Sequence, residues 1–165
     1  MALTVVVFDV GETLVDELTT YERWEAEGAT TFVFAERDLH ADALPCLEAL
    51  RARGLRLGAA GNMYAHHEDF LRPHVDFVGS SERWRVEKPD AGFFAHVVQE
   101  AGAPAEEIVY VGDRVDNDVI PALAAGLQAV RIRRGMHAQV ESPADVVTIG
   151  SLAELPGVLP SNEPA

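Results

Sequence analysis

The sequence predicts an α/β fold: a Rossmann-like, mostly parallel sheet of about five to six strands, helices on both faces, and a small helical insertion after the first strand. Three observations carry this. Leu3 to Phe8 is an unbroken run of β-branched and apolar residues without alternation, the pattern of a parallel strand buried on both faces. A comparable run recurs at Ile108–Val111 (IVYV), and Gln128–Ile132 (QAVRI) is a further strand. Between such runs lie segments with helical spacing and glycine stops, so strand and helix alternate as right-handed βαβ crossovers require.

In chain order, the first strand stops at Asp9 and Gly11 breaks it. Residues 17 to 40 mix charge with Tyr21, Trp24, Phe32 and Phe34 and predict one or two short helices across the sheet edge. Asp42 to Arg53 is an amphipathic helix, with Leu44, Leu47 and Leu50 on one face and Gly54 as its stop. Leu55 to Ala60 is a second strand, Met63 to Arg72 is expected to be helical, and Val75 to Val78 is a third strand running into Ser80-Ser81. The stretch SERWRVEKPD is a loop holding Lys88 and Pro89. A helix follows from Asp90 as N-cap to Ala101, with Gly102 at its end. Ile108 to Val111 is a fourth strand ending in Gly112-Asp113, and the acidic turn RVDND leads into a helix through Ala125. Strands at Gln128–Ile132 and Asp145–Ile149, then a partial helical turn over Leu152–Leu159, complete the fold.

A chain of 165 residues, 48% hydrophobic and 24% charged, predicts one domain over 1–159 with a sizeable core, and a frayed tail at 160–165. The formal net charge of −14 argues against a duplex nucleic-acid or anionic-membrane partner, which would need clustered Lys and Arg. It suits a site that holds a cation. The single cysteine, Cys46, cannot form an internal disulfide and falls among leucines as core filler. No basic region precedes the first apolar run, which ends at Asp9, and a soluble cytoplasmic protein is expected.

In an open α/β sheet, ligands bind beyond the carboxyl ends of the strands. That rule converges Asp9, Gly61-Asn62, Ser80-Ser81 with Lys88, and Asp113 with Asp116 and Asp118. Position alone leaves Asp9 equally readable as a turn cap. Carboxylates packed that closely repel unless a cation or shared proton sits between them, and oxygen-only ligands suit Mg²⁺ better than zinc. Adjacent His66 and His67 point to different sides of a helix, and both are expected to be exposed.

These residues resemble the haloacid dehalogenase superfamily from residue 3 to about 135. DVGETLVD, starting at Asp9, is similar to its first motif, Lys88-Pro89 to its third and VGDRVDND to its fourth. The resemblance implies that Asp9 attacks phosphorus to form an aspartyl-phosphate, which water then hydrolyses. Mg²⁺ and Lys88 would offset charge on the transferring oxygens. It implies metal contact through Asp9, the Gly11 backbone carbonyl, Asp113 and Asp118, with Asp116 a cap or a solvated loop charge. Backbone N–H groups of Gly61 and Asn62, with Lys88, would hold the phosphate of a small phosphate ester or acyl phosphate.

Two positions depart from the pattern. The second aspartate, which protonates the leaving oxygen and later deprotonates water, is replaced by Gly11; the neighbouring Glu12 points elsewhere and is not assigned the role. The hydroxyl residue of the second motif is replaced by Gly61. Loss of a positioned acid/base, typically worth 10²–10⁴-fold, should tell most with poor leaving groups. Residues 17–40 offer only a reduced cap, which leaves the site open unless a second copy in a homo-oligomer covers it. The alternatives are a non-catalytic Mg²⁺- or phosphate-binding regulator and a dehalogenase-like hydrolase, in which a departing halide needs no proton. A receiver-like phospho-aspartate switch is more distant.

Overall fold

The computed structural model describes residues 2–162, so the last three positions of the expected tail lie outside the described residues. Six strands form one sheet in the order β3-β2-β1-β4-β5-β6: β1 Val5–Phe8, β2 Arg56–Gly61, β3 Phe77–Ser80, β4 Ile108–Gly112, β5 Gln128–Ile132 and β6 Val147–Ile149. All five neighbouring pairs are parallel. The strand order reverses between β1 and β4, and a crevice opens at the carboxyl ends of that pair. Asp9 and Asp113, the residues just past those two strands, therefore share one position in the fold.

Side chains of β1 alternate between two cores. Val6 and Phe8 join Leu50, Leu57, Val109 and Ile132 on one face, beneath α2 (Ala43–Ala52). Val5 and Val7 join Phe93, Phe94, Val97 and Tyr110 on the other, beneath α4 (Ala91–Ala101). Both faces of the strand are dry, which is why its sequence shows no polar alternation. Among the described residues, no helix is long and apolar enough to cross a membrane.

The expected elements stand, with several shifts. In the 17–40 segment, α1 (Glu17–Glu27) and a short turn (Glu36–Asp38) pack onto the turns that leave the carboxyl end of β2: Trp24 stacks on Phe34 at 5.1 Å, and Phe34 lies 4.7 Å from the His67 ring. His66 is exposed as expected, but His67 is buried under this aromatic cover, its Nε2 3.2 Å from the Phe32 carbonyl. Residues 63–72 do not form the expected helix. They make 3₁₀ turns at Ala65–Glu68 and Arg72–His74: Pro73, inside the second turn, has no N–H for an α-helical bond, and the Glu68 carboxylate is drawn into the fold by Ser80 and Arg83. The third strand begins two residues later than expected, after Asp76, whose carboxylate accepts the Leu57 N–H at 2.8 Å. The loop before Lys88 contains a one-turn helix, α3 (Ser81–Trp84), capped by the Ser80 hydroxyl.

The helix expected after β4 opens as a wide π turn over Val115–Val119 and continues as α5 (Ile120–Ala124). Pro121 has no N–H to close the preceding turn, which favours the wider ring. The strand expected over 145–149 is confined to β6, and Leu152–Leu159 forms a 3₁₀ turn running into α6 (Leu155–Val158).

Arg131 on β5 is fully buried and has no carboxylate partner among the described residues; its guanidinium instead donates to backbone carbonyls of Asp113 (3.3 Å), His137 (2.9 Å) and Val140, and to the Ser142 hydroxyl. It ties the end of β4 to the loop that follows β5. Arg131→Met would leave those carbonyls facing an apolar chain, at a cost of about 1–3 kcal/mol. Thermal melting should show a Tm lower by about 3–10 °C; an unchanged Tm would mean that the carbonyls find other donors.

Candidate active site

Asp9 is still in register with the sheet, its N–H donating to the Val111 carbonyl at 2.8 Å, while its side chain enters the crevice. The next residues fold back at once, Leu14 N–H and Val15 N–H both donating to the Val10 carbonyl at 2.9 Å. That tight turn brings the Thr13 hydroxyl to 3.1 Å from Asp9 Oδ2, as a donor. The other oxygen, Oδ1, accepts from Lys88 Nζ at 2.6 Å, and the same ammonium donates to Asp118 Oδ1 at 2.6 Å. Lys88 comes from the segment ahead of α4, where the Lys88–Pro89 peptide is cis. Its backbone is clasped by Asn62, whose Oδ1 accepts the Lys88 N–H at 2.8 Å and whose Nδ2 donates to the Lys88 carbonyl at 3.0 Å.

Asp113 follows β4 directly, and the π turn swings Asp118 back over Gly112. A Cβ on Gly112 would fall 2.4 Å from Asp118 Cβ, so position 112 has no room for a side chain while Asp118 points inward. The Arg114 N–H donates to Asp118 Oδ2 at 3.0 Å and completes its orientation. Ligand oxygens of Asp9, Asp113 and Asp118 lie within 4.8 Å of one another, and all three residues are buried. Asp116 turns away and is held by Arg114 in a two-pronged surface pair at 2.9 and 3.1 Å, which agrees with its reading as a loop charge.

Of the other expected site residues, Gly61 is buried with its backbone close to Asp9: a Cβ there would lie 3.3 Å from Asp9 Oδ1. Asn62 is exposed at the rim, its side chain committed to Lys88. Gly11 lies half-buried on the wall of a cleft of about 570 Å³ that Glu17, Tyr21, Phe34, Met63, Tyr64 and Arg85 also line. Ser80 and Ser81, which the strand ends also bring near, face Glu68 and the Met63 backbone instead. Glu12 is buried with its backbone at φ 59, and its carboxylate accepts the Leu18 N–H at 3.1 Å in the first turn of α1, away from the cluster.

The electrostatics follow from three buried carboxylates meeting one ammonium. Burial works against the charge on Lys88, but Asp118 and Asp9 outweigh it and hold its pKa well above the usual lysine range. Asp113 has no cation of its own, so burial and the neighbouring Asp9 push its carboxyl far up, and Asp118 rises less because Lys88 is in contact with it. Outside the cluster, Glu17 is pushed up to about 7, chiefly by burial and then by the charges of Asp9 and Glu12.

Sequence reasoning missed Thr13, the side-chain role of Asn62, Glu17 and Arg134. Arg134 reaches back to the Glu12 carbonyl (3.0 Å), the Thr13 carbonyl and Asp42 (2.7 Å), fastening the turn after Asp9 to the start of α2. Thr13 was legible as a hydroxyl four residues past a strand-end carboxylate; Glu17 and Arg134 carry no local signal.

A divalent cation among the three carboxylates would relieve their repulsion, and a ligand bound only by the folded state adds about 2.7 kcal/mol when present at a hundred times its Kd. Millimolar MgCl₂ should therefore raise the Tm of the wild type by about 5–10 °C, and Asp113→Asn should lose most of that rise in the same scan. An equal rise in both proteins would take Asp113 out of the metal site.

A family model described as haloacid dehalogenase-like hydrolase matches residues 19–126. The glyceraldehyde 3-phosphate phosphatase of Methanocaldococcus jannaschii is 40% identical over 116 residues, which cover 66% of this chain and 51% of that protein. The haloacid dehalogenase-like hydrolase domain-containing protein 3 of Danio rerio is 30% identical over 132 residues, 76% of this chain and 54% of the relative. The chain thus spans about half the length of these curated relatives. The crystal structure of a HAD phosphatase from Thermococcus onnurineus superimposes with a TM-score of 0.76 at 21% identity, covering 96% of this chain and 99% of the other, a likeness of fold. With the matched span reaching from α1 to the end of α5 and taking in Lys88, Asp113 and Asp118, the chain belongs to the haloacid dehalogenase-like hydrolase family.

Proposed function

We propose that this chain is a Mg²⁺-dependent phosphoryl hydrolase acting through an aspartyl-phosphate on Asp9. The observation that carries this reading is the pairing of Asp9 with Lys88 at 2.6 Å beside two further buried carboxylates at the switch point of the sheet. Asp9 directly follows β1 and is held from two sides, by Thr13 and Lys88, with the cleft wall at Gly11 two residues on. A nucleophile held this firmly needs little reorganisation to meet an incoming phosphorus in line.

Each residue then has a task its position suits. Lys88 moves with the charge: its ammonium, already shared between Asp9 and Asp118, offers the donor that an oxygen of the transferring group would take. Gly61 lets the backbone pass close to Asp9 and present N–H groups to a phosphate oxygen. Asp9, Asp113 and Asp118, with the Gly11 carbonyl, would hold Mg²⁺; when bound, it supplies charge neutralisation at the phosphoryl oxygens and orients the ester. The relatives named as phosphatases support a small phosphate ester or acyl phosphate as substrate, and a cleft of about 570 Å³ is of a size to take one.

We read residues 17–40 as a reduced cap, because Glu17, Tyr21 and Phe34 form one wall of the cleft beside Asp9. The acid/base that the family places at position 11 is absent, so activity should favour substrates with good leaving groups unless another group substitutes.

The test is hydrolysis of an activated aryl phosphate and of acetyl phosphate by wild type and Asp9→Asn, each with and without Mg²⁺. Turnover should require the metal and fall by about 10³-fold or more in Asp9→Asn. Equal turnover in the two proteins would overturn the assignment of Asp9.

A further inference from the structure

Position 11 has no side chain, yet the space beside it is filled. A Cβ on Gly11 would lie 2.3 Å from Glu17 Oε1 and 2.7 Å from Glu17 Cδ. The first distance is close to that between an aspartate's own Cβ and its carboxylate oxygens, so an oxygen of Glu17 sits within the reach of the missing aspartate. The backbone of Gly11 is not in the left-handed region, so its conformation does not demand glycine. The space a side chain there would take is filled by the Glu17 carboxylate, at the end of a flexible side chain.

Glu17 is placed there by a fixed element. It is the first residue of α1, whose first turn is pinned by Asp16, accepting from the Thr19 N–H at 3.1 Å, and by Glu12, accepting from the Leu18 N–H at 3.1 Å. Tyr21, one turn along the same helix, lines the same cleft as Glu17. The charged groups that bear on Glu17 from other elements are Asp9, Glu12 and Lys88. Gly11 and Glu17 line the same cleft, which is open to a substrate.

We propose that Glu17 is the catalytic acid and base of this site, delivered by α1 into the volume that Gly11 leaves. The proposal rests on the aspartyl-phosphate reading above. In the first step an Asp9 oxygen bonds to phosphorus and the bond from phosphorus to the leaving oxygen breaks; the electron pair stays on that oxygen, which takes the proton of the Glu17 carboxyl. In the second, the Glu17 carboxylate takes a proton from water as the water oxygen bonds to phosphorus. The bond between phosphorus and Asp9 breaks, its electron pair returns to Asp9, and inorganic phosphate leaves with Glu17 protonated again.

The experiment compares an alkyl phosphate with an activated aryl phosphate, in Mg²⁺, across wild type, Glu17→Gln, Glu17→Ala, and Gly11→Asp combined with Glu17→Ala. Glu17→Gln should lower kcat/KM for the alkyl ester by about 10²–10⁴-fold. With the aryl ester it should still release a burst of about one aryl alcohol per site and then stall as phosphoenzyme accumulates, because the second step lacks its base. The double variant, which returns a carboxylate to position 11 and removes the one beside it, should turn over the alkyl ester well above Glu17→Ala alone. Equal losses on both esters in the first step, or no loss on either, would overturn the role of Glu17. Should Glu17→Gln not fold, Glu17→Ala and the double variant decide: loss of alkyl-ester turnover in the first with recovery in the second supports the assignment, and full turnover in a folded Glu17→Ala, or a folded, inactive double variant, overturns it. A wild type with no Asp9-dependent burst fails the hydrolase reading itself, which separates the two outcomes.

Discussion

One ammonium, Lys88, stands between two buried carboxylates with a third alongside, and the carboxyl end of the sheet is built around that imbalance. Unit charges about 4 Å apart interact by about 4 kcal/mol at the effective dielectric of a protein surface, and more strongly when water is excluded. The cluster therefore cannot be relaxed by small movements. Three of its members are held by groups without charge: Asn62 fixes the Lys88 backbone, Thr13 orients Asp9 and Gly112 admits Asp118, while the Arg131 guanidinium secures the carbonyl of Asp113. A site so arranged binds protons or a cation in preference to standing fully ionised.

The turn after β1 has a second organisation that depends on the first. Its three acidic residues beyond Asp9 do different work. Glu12 and Asp16 accept N–H groups of α1's first turn, while Glu17 is turned inward against Gly11. Arg134 holds the carbonyls of this turn from outside and anchors them to Asp42, which also accepts from Ser151 and from the Leu152 N–H. The start of α1 is thus fixed relative to Asp9 by contacts that reach to the last third of the chain. That is the order of rigidity a catalytic geometry requires.

Much of this was legible in the sequence because burial on both faces leaves an uninterrupted apolar run, and β1 and β4 each showed one. Asp9, Lys88, Asp113 and Asp118 were legible because each follows such a run or precedes a well-capped helix, and the fold brings those points together. Residues 63–72 were misread because apolar spacing cannot report that Glu68 is pulled inward by Ser80 and Arg83. His67 was misread for a related reason: its cover comes from Trp24 and Phe34, far away in sequence. The π turn over Val115–Val119 was hidden because Pro121 resembles an ordinary first-turn proline. Gly11 was read as a loss; only the position of Glu17 in space shows that the glycine is matched to a neighbour.

The central claim is that Asp9 takes the phosphoryl group. The most direct measurement is acid quenching of the wild type during turnover of an aryl phosphate in Mg²⁺, borohydride reduction of any acyl phosphate, and peptide mass spectrometry over the first motif. Asp9, and no other carboxylate, should be converted to homoserine. Unmodified Asp9 with phosphate still released, or a modified Asp113 or Asp118, would contradict it.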